Sequence, residues 1–106
     1  MGVERSTKNV MVSKEEIKQR MLKEGFVIIN EYDDPPNEFF PDHDHPGDQL
    51  LVVVNGSIEV AMNGQTSILK PGDEMFFPAK VKHGAKIGPE GCLYIDGERP
   101  AVQEKS

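Results

Sequence analysis

The chain has one cysteine among 106 residues, no apolar run longer than five residues, and no excess of positive charge. Each absence excludes something. A lone Cys92 cannot form an intrachain disulfide, so nothing asks for an oxidising compartment. The longest apolar run, Leu50 to Val54, has strand length and falls far short of the roughly 20 residues that span a bilayer. Charges, not a signal-type apolar region, come after Met1-Gly2-Val3-Glu4-Arg5. Twelve Lys and Arg against eighteen Asp and Glu leave a net charge of −6, the wrong sign for neutralising phosphates. The expectation is a cytoplasmic protein with neither a nucleic-acid nor a membrane partner. One domain is implied too, because two cores would leave each half near the size where metals or disulfides become necessary.

What is present is uneven. Residues 26–50 carry seven acidic side chains and no basic one, whereas both flanking regions are mixed. Ser13-Lys14-Glu15-Glu16 is a capping box: the hydroxyl of Ser13 can accept from the amide three residues on. Ile17 and Met21 lie one helical turn apart, Leu22 widens their face, and Gly25 suits the C′ position. These signals predict a short helix over Lys14 to Glu24.

After Gly25 the period drops to two. Phe26 to Glu31 is β-rich and ends at Asp33-Asp34-Pro35-Pro36. Leu50 to Val54 leads into Asn55-Gly56. Ile58, Val60 and Met62 then alternate with polar or small residues as far as Asn63-Gly64. Both Asn-Gly pairs read as hairpin turns, since each residue tolerates positive φ. Pro71-Gly72-Asp73 and Gly88-Pro89-Glu90-Gly91 supply further turns. Seven or eight short strands behind one helix indicate an antiparallel sandwich or barrel. The predicted divisions are an arm and helix over 1–25, a barrel over 26–97 and a flexible tail over 98–106.

The chain contains three histidines, and two of them sit in Pro41-Asp42-His43-Asp44-His45-Pro46. Spacing of two along a strand puts both imidazoles on one face, and neutral imidazole is the commonest protein ligand for transition metals. Gln49 shares their parity. The pair alone is a weak signal, since surface histidines beside Asp and Pro are common.

His43-Asp44-His45, then Gln49 and then Gly56, resembles the first motif of the cupin family; Gly72, Pro78 and His83 resemble the second. The likeness covers Asn37 to Ile95 and takes in all three histidines. Asn37 and Lys80 stand where that pattern has glycines, and Gln49 stands where it has Glu. The resemblance implies an all-β double-stranded β-helix, a jelly-roll barrel with one short N-terminal helix. It also implies a divalent ion (Fe, Mn, Ni, Zn or Cu) held by His43, His45, His83 and Gln49, and a homodimer. An amide oxygen is neutral, so three histidines and a glutamine leave the ion's full +2 charge. Metal affinity should fall and attraction for a carboxylate should rise, unless Gln49 instead orients a water or substrate. Phe39, Met62, Met75 and Phe77 are candidate pocket residues, while Cys92 reads as a buried, inert thiol. No catalytic residue stands out, since no further His, Tyr or carboxylate in the barrel pattern is an obvious base. Two functions fit this pattern: a metalloenzyme of dioxygenase, isomerase or lyase type acting on a small oxygenated or carboxylate-bearing substrate, or a non-catalytic module binding a small molecule or sugar.

Overall fold

Ser13 and Gly25 bracket the one helix as their chemistry requires. In the computed structural model, which describes residues 12–101, α1 spans Lys14–Lys23. Ser13 Oγ accepts from the Glu16 amide at 3.2 Å. At the other end Gly25 takes φ +90°, its amide reaches Leu22 O, and the Phe26 amide reaches Met21 O at 2.9 Å. This double closure caps the last carbonyls of the helix. Ile17 and Met21 are buried as expected, but Leu22 is 56 % exposed. One residue advances about 100° around a helix, enough to carry Leu22 off the buried stripe.

Six strands make up the rest: β1 Ile28–Asp34, β2 Phe39–His43, β3 Asp48–Met62, β4 Gln65–Leu69, β5 Glu74–Phe77 and β6 His83–Arg99. All pairings are antiparallel. β3 and β6, with 15 and 17 residues, pair from Asp48↔Arg99 to Met62↔His83 and form the spine. Their outer halves belong to different sheets. β1 and β5 flank the half that contains Gln49 and Asp96, while β2 and β4 flank the half that contains Val60 and Ala85. This is the double-stranded β-helix, and the two bent strands explain why six elements do the work of eight.

The two Asn-Gly pairs diverge in role. Asn63-Gly64, with φ +54° and +76°, is the two-residue turn between β3 and β4, closed by Met62↔Gln65. Asn55-Gly56 is no hairpin. It is a corner inside β3, where the register with β6 shifts and Gly56 takes φ +79°. A Cβ on Gly56 would sit 2.1 Å from Gly91 O, so the crossing strands need glycine here. Gly88-Pro89-Glu90-Gly91, expected as a turn, is the matching irregularity within β6.

The run Leu50 to Val54 is continuously apolar because most of it is buried on both faces. Leu51 and Val53 point between the sheets with Ile58, Val60, Leu69, Phe77, Ile87, Cys92 and Tyr94. Leu50 and Val52 face outward with Ile95, under Ile17, Met21 and Phe26. Each fully buried side chain of this size contributes about 1.5–3 kcal/mol. Gly97 makes room for the helix, since a Cβ there would lie 2.9 Å from Met21 Sδ.

The last strand also corrects an expectation. Glu98 and Arg99 are not tail: they pair with Gln49 and Asp48, and Arg99 Nε donates to Asp48 Oδ2 at 3.1 Å. The Arg99 guanidinium also bonds Glu24 O and lies 4.4 Å from the Phe26 ring centroid, clamping the helix exit to the barrel. Expectations for the first eleven residues and for 102–106 fall outside the described residues. Among the described residues no helix is long and apolar enough to cross a membrane.

Candidate metal centre

Three histidines distant in sequence meet at one end of the barrel. His43 closes β2 and pairs directly with His83, the first residue of β6. His45 lies in the bend before β3. It is held there because its carbonyl accepts from the Lys80 amide at 2.8 Å, and Lys80 takes φ +68°. Ring centroids are 5.0 Å apart for His43 and His45, 4.6 Å for His43 and His83, and 5.4 Å for His45 and His83. One ligand atom from each ring lies within 4.8 Å of the others.

Two of the outer nitrogens are hydrogen-bonded. His43 Nδ1 donates to Pro41 O at 2.8 Å and His83 Nδ1 to Val81 O at 3.2 Å. Carbonyl oxygens only accept, so in the neutral ring these contacts require the Nδ1–H tautomer and leave Nε2 with its lone pair. His45 Nδ1 is 3.8 Å from Glu98 Oε2. His45 Nε2 and His83 Nε2 are buried without a partner. Phe77 stacks on the His83 ring at 4.0 Å between centroids. Burial first, and the neighbouring histidines after it, lower the His83 pKa, which favours the neutral ring that a metal needs.

Gln49 lines the same cavity. Its Nε2 donates to Asp96 Oδ1 at 2.5 Å, an acceptor that fixes which way round the amide stands. Oε1 is thereby left buried and unpartnered. Orphaned buried acceptors are costly, about 1–3 kcal/mol each, and three sit here together. A divalent ion is the group that satisfies two imidazole lone pairs and an amide oxygen at once, so the donors present fit a transition metal. Asp96 is itself 5 % exposed, and burial above all, with Glu98 adding to it, pushes its carboxyl up to about 7 against the opposing hydrogen bond from Gln49.

Beyond the histidines opens a cavity of about 340 Å³, within the range of small-molecule sites. Of the expected pocket residues, Phe77 lines it. Phe39, Met62 and Met75 are not part of its wall: Phe39 is 67 % exposed, and the two methionines pack on the edge of the inner core. Phe40 takes the place expected of Phe39. The register of β2 against β6 shifts between Phe40 and His43, and the extra residue brings an even and an odd position onto one face.

The wall also holds Tyr32, Asp34, Glu38, Tyr94, Asp96 and Glu98, correcting the view that the barrel offers no further Tyr or carboxylate. A signal for three of them was available, since Tyr94, Asp96 and Glu98 share parity with buried Cys92. Burial pushes the Cys92 thiol up to about 12, so it is inert as expected.

A bent-strand jelly roll with a histidine cluster at its mouth defines a cupin, and the chain belongs to that family: the cupin domain model matches residues 30–99. Among solved structures it is similar to KdgF from Halomonas sp., with 29 % identity over 70 % of this chain and 69 % of that one and a TM-score of 0.64. An RmlC-like cupin from Shewanella frigidimarina NCIMB 400 is 30 % identical over 72 % of this chain and 68 % of that one, also with a TM-score of 0.64. A further likeness, 34 % identity over 58 residues, is to the HTH-type transcriptional activator RhaS of Mannheimia succiniciproducens. It takes in 55 % of this chain but only 22 % of the activator.

Proposed function

We propose that the protein is a small metallo-cupin in which His43, His45, His83 and Gln49 hold one divalent transition-metal ion. On this reading a small oxygenated substrate occupies the adjoining cavity. The observation that carries it is the gathering of the three imidazoles within 4.8 Å, with unpartnered His45 Nε2, His83 Nε2 and Gln49 Oε1 on the wall of one cavity. When bound, the ion supplies Lewis acidity or an O₂-binding centre, which suits dioxygenase, isomerase or lyase chemistry. The protein's own contribution is positional. Pro41 O and Val81 O hold two rings by their far nitrogens, Asp96 aims the Gln49 carbonyl, and Phe77 covers the His83 face. Phe40, Leu51, Ile58 and Val60 form the apolar part of the cavity wall.

Elemental analysis of the purified protein, repeated on His43→Ala, tests this. About one equivalent of a single transition metal is expected, with loss of most of it in the variant. A protein that takes up none of Fe, Mn, Ni, Zn or Cu when offered each, or a variant that binds as the parent does, refutes it. The second reading, a binding module without turnover, draws on the likeness to part of a transcriptional activator. O₂ consumption or product formation by the metal-loaded protein would decide against that alternative. A homodimer is part of the proposal, because β1 pairs on one edge only among the described residues and exposes Val27, Ile28 and Tyr32. A monomer mass in sedimentation equilibrium at micromolar protein would end that part.

A further inference from the structure

Two carboxylates, Asp34 and Glu38, and three aromatic rings, Tyr32, Phe40 and Tyr94, line the same cavity as the histidines. Asp34 ends β1 and Glu38 precedes β2, and the linking Pro35-Pro36-Asn37 is pinned to β6. The Asn37 amide donates to Ile87 O and Gly88 O, while Glu38 O accepts from the Ile87 amide at 2.8 Å. Asp34 Oδ2 accepts from the Tyr94 hydroxyl at 2.6 Å. Tyr32 and Tyr94 lie 5.5 Å apart between centroids, tilted by 37°, and Phe40 also lines the wall. Every charged group lining the cavity, among the described residues, is an acid, and no Lys or Arg reaches it. Leaving aside Asp96 and Glu98 beside the metal ligands, Asp34 and Glu38 still present acceptors with no cation to match. Gln49 Oε1 and His83 Nε2, on residues 8 % and 5 % exposed, are unpartnered and line the same cavity, so in the metal-stripped protein a ligand's hydroxyl finds acceptors there.

We propose that Asp34 and Glu38, walled by Tyr32, Tyr94 and Phe40, bind the ammonium group of a small amine whose oxygen function faces the histidines; the assignment rests on the metal reading only for that oxygen. The rings supply negative π-faces, the carboxylates supply charge and acceptors, and an ammonium group offers donors alone. An anionic substrate finds the opposite: among the described residues no Lys or Arg on the wall, and four carboxylates. The charge left on the ion by neutral Gln49 therefore draws an oxygen donor without selecting for a free acid.

Three probes of matched size test it by calorimetry on the full chain, metal-stripped and zinc-loaded: ethanolammonium, ethylene glycol and glycolate. In the metal-stripped protein ethanolammonium should bind about tenfold or more tighter than the neutral diol, and glycolate should not bind. Added salt should weaken the ammonium complex. Glu38→Gln, at a partly exposed position whose backbone contacts are untouched, should weaken ethanolammonium several-fold with an unchanged melting curve, and Asp34→Asn together with Glu38→Gln should abolish the preference. Glycolate binding the metal-stripped protein as well as ethanolammonium, no binding of ethanolammonium, or indifference to Glu38→Gln each overturn the assignment. Metal uptake is read separately. Ammonium preference without uptake of any of Fe, Mn, Ni, Zn or Cu upholds this site and refutes the metal centre, and metal uptake with glycolate preferred by the metal-stripped protein does the reverse.

Discussion

Gln49→Glu restores to β3 the carboxylate of the cupin pattern, and Asp96 sets the cost of that change. In the native pair an amide N–H meets Asp96 Oδ1 at 2.5 Å, with both residues under a tenth exposed. The substitution removes that donor and sets a second carboxylate against the first. Two unit charges about 3 Å apart repel by about 5 kcal/mol at an effective dielectric near 20. A proton relieves them, but keeping a carboxyl of pKa near 4 protonated costs about 1.4 kcal/mol per pH unit above that value, so about 3 kcal/mol at pH 6 and about 5 kcal/mol at pH 8. A carboxyl whose folded pKa is raised keeps its full stability below the unfolded value and loses it as pH rises through the folded one. The metal-stripped variant should therefore melt below its parent by ten degrees or more at pH 8, and by clearly less at pH 6. Adding Asp96→Asn should restore the melting temperature at pH 8, because the new amide donates to the introduced carboxylate. That double variant should also hold zinc more tightly than the parent. A single variant melting with its parent at pH 8, or a double variant that fails to recover, would refute the account of the Gln49–Asp96 pair.

Other outcomes are expected from the same structure. Asp96, pushed up to about 7, should make the metal-stripped parent lose stability as pH rises from about 4 to about 7, and Asp96→Asn should flatten that slope in denaturant melts. Gly56→Ala meets both a positive φ and the Gly91 carbonyl; a loss of about 2–5 kcal/mol by chemical denaturation is expected, and a neutral result would show that the corner can shift. Arg99→Ala removes the bonds to Asp48 and Glu24 and the stacking on Phe26, at a cost of about 2 kcal/mol by the same assay. Zinc affinity should fall with falling pH, because only the neutral imidazole binds metal, and a flat titration between pH 5 and 8 would argue against histidine ligation.

Much of this molecule was legible in its residues, and the failures share one cause. The helix limits came from Ser13 and Gly25, and the Asn63-Gly64 hairpin from its two positive-φ residues, because these are local effects. The three histidines could be gathered because the cupin spacing places them around one barrel end. Facing is where counting failed. Parity survives only until an extra residue enters a strand, and β2 admits one between Phe40 and His43, which exchanges Phe40 for Phe39 at the wall. Likewise Asn55-Gly56 looks identical to a hairpin turn until the long-range pairing of β3 with β6 makes it a corner. The acids of the cavity escaped notice because Asp96 and Glu98 look like surface residues in a sheet read as polar on its outer face, although Cys92 already marked their row as inward.

The β3–β6 spine has a consequence for how the protein assembles. Its rungs bridge 21 residues of chain at Met62↔His83 and 51 at Asp48↔Arg99. Loop-closure entropy rises with the length bridged, so zippering is cheapest from the Met62 end. His83 would then be seated near the start of that process, while the Gln49 and Asp96 rows, close to the far end, lock last. The other ligands therefore close on His83 late, and metal supplied during refolding should accelerate the final step rather than the first.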